Sequence, residues 1–336
     1  MAHRPWQKIG LLAVLGLVVH LILPQITSLE NSLQVLKTMI LWAVGLACIA
    51  QVLSYLGSGY LLQSILAITR QRASLWGSTL MVLGAASIGM VAGGMVGSSA
   101  AIYNWTSKNK GSPEGATLAS ILSPLFNDLM LVLVSIFGLI HLVLAHDLTQ
   151  TQVMGFGFTL LTLFIIMGSA ALAVRYRNRA TVVFIWVASR LARLRRKPYD
   201  PENTRSFTND LFNAWDTLWQ GAWHKPAIGA FLNVAFDMLT LYFLFVAAGE
   251  NVSPGVLLAG YGLPLLLGKV AFIIPGGVGV VESSMAALYN GLGISQATIV
   301  VVVLGYRLIS FWIPSIAGFP IAAYLQRFKT GLINRS

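Results

Sequence analysis

Charge is the first thing this chain lacks. Asp, Glu, Lys and Arg make up 10% of its 336 residues, well under the roughly 25% of an ordinary soluble domain. Cysteine is nearly absent: Cys48 stands alone within an apolar run, which excludes a disulfide framework and a thiolate metal centre. His20, His141, His146 and His224 are scattered, with no His-x-x-x-His pair and no clustered carboxylates, so no hydrolytic metal constellation forms. No Walker A sequence occurs, and Gly93-Gly94-Met95-Val96-Gly97 lacks the strand-turn-helix setting of a nucleotide fingerprint. The expectation is a protein that is not an enzyme and carries neither cofactor nor metal.

What fills the chain instead is apolar. Hydrophobic residues account for 56% of it and the mean hydropathy is +0.75, values of an integral membrane protein. The expected fold is an all-α polytopic membrane protein forming a single membrane domain over residues 1–336. The net charge of +11 reads as orientation and attraction to anionic lipid headgroups rather than nucleic-acid binding. Arg4 and Lys8 before an apolar run at 9–23 imitate a secretory signal, but Pro24-Gln25-Ile26-Thr27 offers no small-x-small cleavage site. That run reads as a retained first span.

Further apolar runs cover 38–57, 73–101, 116–145, 151–174, 226–249, 254–274 with a restart to 290, and 295–326. Most reach the roughly 20 residues a helix needs to cross a bilayer. Arg175, Arg177, Arg179, Arg190, Arg193, Arg195, Arg196 and Lys197 crowd the gap after Val174 without an acid among them. If every run crossed once, this cluster would face outward, against the positive-inside tendency. All basic clusters face inward if 73–101 enters from the cytoplasm and returns, and 254–290 does the same from outside. The expectation is therefore about six spanning helices plus two inverted re-entrant helical hairpins, with both termini cytoplasmic.

A repeat supports that layout. Gly94, Gly97 and Gly111 correspond to Gly276, Gly279 and Gly293 at one constant offset of 182 residues (276 − 94). Weak internal repeats of opposite topology are a transporter signature. The halves read as roughly 38–174 and 226–326, with a cytoplasmic amphipathic loop at 175–225 between them. In that loop Leu211, Trp215, Leu218, Trp219 and Trp223 form a helical stripe, suited either to the membrane interface or to a lid packed on the bundle ends.

The chain is organised around Pro275-Gly276-Gly277-Val278-Gly279-Val280-Val281-Glu282. Proline removes a donor and the glycines permit otherwise forbidden dihedrals, so the apolar run must break here. Glu282 falls on the first turn after the break, where an anion meets the positive end of the new helix. A broken helix with a carboxylate at membrane depth is a common way to build a transporter site; a packing kink with Glu282 as a simple helix starter is the plainer alternative. Arg307, about twelve residues into the last run, is expected to pair with Glu282 or to bind a phosphate bidentately. Lys269 either lines the same cavity or snorkels to an interface. Asn233, Asp237 and Thr240 share one helical face, and Ser120, Ser123, Asn127 and Asp128 form a second polar stripe beside Pro124. Both stripes suit a cavity wall and equally suit interhelical hydrogen bonding. The candidate substrate-binding set is thus Glu282, Arg307, Lys269, Asp237, Asn233, Asp128, Asn127, Gly276, Gly277 and Gly279.

The 275–282 segment, the Gly293 turn and Tyr306-Arg307-Leu308-Ile309-Ser310-Phe311-Trp312 together resemble the membrane, flippase-like domain of the lysylphosphatidylglycerol synthetase family, as a stand-alone protein lacking the synthetic domain. The similarity in layout covers nearly the whole chain. Residues 93–128 resemble the family's first-half motif, although Ala92-Gly93-Gly94 stands where related sequences often have a proline. The resemblance implies a lipid flippase of the bacterial inner membrane, moving a polar headgroup between leaflets without aminoacyl transfer. Glu282 and Arg307 match positions of the family motif and are implied to contact the headgroup. The implied partners are membrane lipids, with an anionic or zwitterionic phospholipid as default cargo and an isoprenoid-linked lipid as a further candidate. Nucleic acid is not expected, and self-association into a homo-oligomer is compatible with the sequence. The competing reading is a non-transporting membrane scaffold that presents lipid to a separate enzyme.

Overall fold

A computed structural model describes residues 29–92, 94–108, 113–145, 172–194, 199–270, 275–327 and 333–335, with isolated residues between 157 and 169. In chain order they form α1 (Leu29–Thr38), α2 (Leu41–Ile68), β1 (Gln71–Ala73), α3 (Leu75–Val91), α4 (Met95–Lys108), α5 (Pro113–Ala145), α6 (Arg177–Leu194) and α7 (Pro201–Thr217). Then come α8 (His224–Ala247), α9 (Pro254–Val270), α10 (Val280–Gly291), α11 (Gln296–Arg307), α12 (Ile313–Arg327) and β2 (Ile333–Arg335). The strands make one short antiparallel pair, Gln71 opposite Arg335. The protein is an all-α polytopic membrane protein.

Among the described residues, four helices are long and apolar enough to cross a bilayer: Leu41–Ile68, Gly115–Leu144, His224–Ala247 and Gln296–Arg327. At about 1.5 Å per residue the shortest is about 36 Å long, against a hydrocarbon core of about 30 Å. Their outward faces carry Leu41, Ile49, Val52, Phe137, Leu144 and Ile316, all exposed, as lipid contact requires. The predicted span at 9–23 and most of that at 151–174 lie outside the described residues. The predicted run 73–101 is two helices, α3 of 17 residues and α4 of 14; α9 and α10 have 17 and 12. Each is shorter than the bilayer core.

Local chemistry sets these boundaries. Ser74 caps α3 by accepting from the Gly77 N–H at 3.0 Å, and Ser295 caps α11 by accepting from Thr298 at 3.2 Å, as N-cap hydroxyls do. The turns before α4 and α10 use Gly94 at φ 63° and Gly276 at φ 64°, a region costly for any residue with a Cβ. The 182-residue offset between these glycines also carries α2 onto α8, α3 onto α9, α4 onto α10, and α5 onto the α11–α12 span. Every boundary agrees to within three residues.

The paired elements cross one another. Thr240 Oγ1 approaches the Ala47 carbonyl, Asn233 bonds Ser54, and Gly229 abuts Leu61, so α2 and α8 run antiparallel. Hairpin helix α3 packs on α12, and its counterpart α9 packs on α5. Asp128 meets Lys269, Ser135 meets Gly262, and Gly138 meets Ala259, so this pair is antiparallel too. Two large apolar cores result, with a smaller cluster of Leu142, Ala259, Leu263 and Leu288 beside them. One surrounds Trp105 of α4 with Leu61, Met81 and Leu122; the other surrounds Met285 and Tyr289 of α10 with Leu241, Phe245 and Val302.

Between the halves, α6 and α7 pack together, and α7 also touches α5. Phe212 and Thr208 are buried in this contact, so the α7 face is used within the chain, as a lid uses it. The predicted continuous stripe from Leu211 to Trp223 does not form one helix. The ladder shifts to π spacing over Leu218–Ala222, and Gly221 leaves the helix at φ 106°. Arg177 donates to both carboxylate oxygens of Asp216, and that bond holds the Asp216 carboxyl below the usual carboxylate range. A depressed folded value means the pair stabilises the α6–α7 contact above the ordinary carboxylate range and ceases to do so as pH falls through that lower value. Hydrogen exchange of the α7 amides is expected to accelerate only in that acid window, and Asp216→Asn to remove the pH step.

Candidate functional site

The break before α10 places a charged cluster at the hairpin turn. Gly276, Gly277 and Gly279 all take positive φ, at 64°, 61° and 86°, so the sequence Pro-Gly-Gly-x-Gly is needed for the shape itself. The turn ends with Gly279 as N-cap. Glu282, at the third helical position, accepts from the Gly279 N–H through Oε2 at 2.6 Å. This is the backbone half of a capping box; glycine has no side chain to supply the other half. The remaining oxygen, Oε1, accepts from Arg307 Nε at 2.6 Å.

Arg307 comes from α11 and is held on three sides. Besides Glu282, its Nη2 donates to the Gly276 carbonyl at 2.7 Å, and its guanidinium lies 4.4 Å from the Phe311 ring centroid. The Phe311 ring in turn occupies the space that a Gly276 side chain would fill. Arg307 is 6% exposed and Glu282 15%. Directly after Arg307 the helix shifts to π spacing over Leu308–Trp312, a local irregularity frequent at functional sites. Tyr55 of α2 donates to the Ser310 carbonyl at 3.1 Å, satisfying a group in the irregular stretch.

A second cluster lies one residue along α11. Asp237, midway along α8, accepts from Tyr306 at 2.7 Å and from Tyr261 of α9 at 2.8 Å, both on Oδ2, and the Gln51 side chain lies beside it. A third cluster joins α9 and α5, where Lys269 pairs with Asp128. Beside it the Asn127 side-chain oxygen is buried without a protein partner.

The candidate residues therefore sort by position. Glu282, Arg307, Gly276, Gly277 and Gly279 form one assembly; Lys269 and Asp128 form another, with Asn127 adjacent. Asp237 sits between tyrosines, connected to the first assembly through Tyr306 and Arg307. Asn233 stands apart. Its amide donates to the Ser54 hydroxyl at 2.9 Å and the Ser54 carbonyl at 3.1 Å, which serves the α2–α8 crossing. Sequence reading missed Tyr261, Tyr306, Gln51 and Phe311. The available signal was the polar tip of a tyrosine inside an apolar run, which must find a partner when buried. Near the Asn233 crossing, an open apolar groove of about 330 Å³ is lined by Leu53, Leu56, Tyr60, Leu75, Leu232 and Phe236.

Among the described residues, four helices long and apolar enough to span, two shorter helix pairs and a charged cluster at a helix break make this a multi-pass membrane protein. The chain belongs to the family of the lysylphosphatidylglycerol synthase TM region, whose profile matches residues 8–318. It is 36% identical over 89 residues to a UPF0104 membrane protein of Pyrococcus horikoshii, a stretch covering 24% of either chain. It is 30% identical over 95 residues to a UPF0104 membrane protein of Methanothermobacter thermautotrophicus, covering 28% of either chain. The matched stretches thus span about a quarter of the length of each relative.

Proposed function

We propose that this protein moves a polar lipid headgroup between the leaflets of the cytoplasmic membrane while the acyl tails stay in lipid. The observation that carries the reading is the Glu282–Arg307 pair, largely buried at a hairpin turn and about a third of the way along the last span. Charges at that depth are costly and are retained where they serve a polar cargo. Guanidinium is suited to a phosphate, which it can bind in place of the Gly276 carbonyl and the Glu282 carboxylate. The matched, antiparallel halves support an inverted repeat, in which the two hairpins re-enter the membrane from opposite faces and open cavities alternately. The groove at Leu53 and Phe236 offers an apolar surface for a tail. The basic segment from Arg175 to Arg193 supports a cytoplasmic location for α6 and α7, with both termini on that side.

Fluorescent phospholipid translocation in proteoliposomes tests this. The wild type is expected to move lipid above the rate of empty vesicles. Arg307→Ala slows it by at least about tenfold, the consequence of losing about 1.4 kcal/mol of headgroup contact, and Glu282→Gln slows it by removing the carboxylate that displaces the phosphate from Arg307. Background rates in all three proteins would remove the transport reading and favour a scaffold that hands lipid to a separate enzyme.

A further inference from the structure

The polar layer does not balance its charges by ion pairs. It holds three carboxylates, Asp128, Asp237 and Glu282, and two cations, Lys269 and Arg307. Lys269 is taken by Asp128 and Arg307 by Glu282. Among the described residues no cation stands within ion-pair distance of Asp237. Yet Asp237 lies 13 residues from His224 and 10 from Ala247 within α8, about 20 and 15 Å from the two ends of the helix. An ionised carboxylate with only neutral partners at the middle of a bilayer is expensive, whereas the neutral acid is not.

We infer that Asp237 is a proton-binding site, and that a proton bound there travels with an anionic headgroup held at Arg307. This deepens the lipid-moving reading and rests on it for the coupling, though not for the proton site.

The surroundings suit a proton better than a metal cation. Tyr261 and Tyr306 present O–H groups to Oδ2, so their hydrogens occupy the space that cation-ligating lone pairs would need. Gln51 is buried beside Asp237, and its Oε1 has no partner. That vacant acceptor is what a protonated acid requires: proton uptake from water forms one O–H bond on Asp237, which the Gln51 carbonyl can then receive.

The elements packed around Asp237 are accounted for. From α2 come Gln51 and Tyr55, from α9 Tyr261, and from α11 Tyr306 and Arg307. On α5, Asp128 is occupied by Lys269, and His141 lies against Gly255. Lys269 and Arg307 are the cations among these, and each is already paired with its own carboxylate. The link to the headgroup is equally short. Tyr306 holds Asp237, and the next residue, Arg307, holds Glu282 and the hairpin carbonyl. A phosphate arriving at Arg307 adds negative charge beside Asp237, and one proton taken up there cancels it.

Two measurements decide the matter. In proteoliposomes carrying fluorescent phosphatidylglycerol, a pH gradient of about one unit is expected to shift the steady-state leaflet ratio by about tenfold if one proton accompanies each lipid. In Asp237→Asn the ratio stays the same at every gradient. Wild-type movement with a ratio indifferent to the gradient would overturn the coupling while leaving lipid movement intact; no movement at all would count against the functional reading instead. The second measurement needs no transport. Infrared difference spectra of the reconstituted protein between acid and alkaline pH should show the C=O stretch of a protonated carboxylic acid, shifted in D2O. The band should vanish in Asp237→Asn and persist in Asp128→Asn. A band that survives in Asp237→Asn, or none in the wild type, overturns the proton site.

Discussion

Gly277→Ala is expected to abolish recovery of folded protein, while Gly305→Ala folds as well as the wild type or better. Gly277 faces two penalties at once. Its φ of 61° lies where a side chain costs about 1–2 kcal/mol, and an added Cβ would stand 2.7 Å from Gly268 Cα, a backbone atom that cannot rotate aside. Overpacking of that kind costs about 1–3 kcal/mol more. Gly305 faces neither: it is helical, and its nearest neighbour would be a Leu244 methyl at 3.8 Å, so alanine gains helix propensity. Two further variants separate the terms. Gly293→Ala carries only the dihedral cost, with φ 85° and open space around it. Gly138→Ala carries only the clash, with its Cβ 2.6 Å from Ala259 Cα. Thermal melts in detergent are expected to rank stability as Gly305→Ala first with Gly293→Ala and Gly138→Ala below it, while Gly277→Ala yields too little folded protein to melt. If Gly138→Ala melted with the wild type, the α5–α9 contact would be looser than described, and the register that brings Lys269 to Asp128 would fall with it.

That register shows where a sequence stops being informative. The glycine pattern and the ionisable residues inside apolar runs are local facts, so the hairpin turns and the candidacy of Glu282 and Arg307 were legible. The Lys269–Asp128 pair was not, because it depends on which residues of two helices meet. Ser135, Gly138 and Gly262 decide that by permitting close approach, and nothing in their spacing names the partner. Asp237 was legible as a polar residue on a helix face, but its tyrosines come from two other elements and lie within apolar runs. Helix α2 was foreshortened for a related reason. Hydropathy fades after Gly57, yet the helix continues to Ile68 because Ser58, Gly59 and Ser64 are buried against neighbouring helices. Small polar residues there dilute the apolar signal and tighten the packing together. The stripe from Leu211 to Trp223 failed in the opposite sense: a helical period persists in the sequence across Gly221, where the backbone turns away.

The second large effect lies at the charged pair, and its signs differ between the two partners. Arg307→Ala leaves the Glu282 carboxylate with the Gly279 N–H alone, and leaves the Gly276 carbonyl without its donor. Breaking a buried pair in this way costs about 3–5 kcal/mol. Glu282→Gln is milder, because the amide oxygen still accepts from Gly279 while Arg307 keeps the Gly276 carbonyl and the Phe311 ring. The order of melting temperatures is therefore expected to be wild type, Glu282→Gln, then Arg307→Ala. Exchanging the two charges does not restore the wild type even if the pair is purely structural. An arginine at position 282 would face the free N–H groups and positive end of α10, where Glu282 now caps the helix. The informative double variant is neutral: Glu282→Gln with Arg307→Met keeps the cap, removes both charges and leaves no unpaired ion. Its melting temperature is expected to lie above that of Arg307→Ala, since replacing a buried ion pair by neutral groups of similar volume is often tolerated. Its lipid movement should stay at background. Recovered stability with recovered movement would reduce the pair to architecture; recovered stability without movement ties the guanidinium to the cargo.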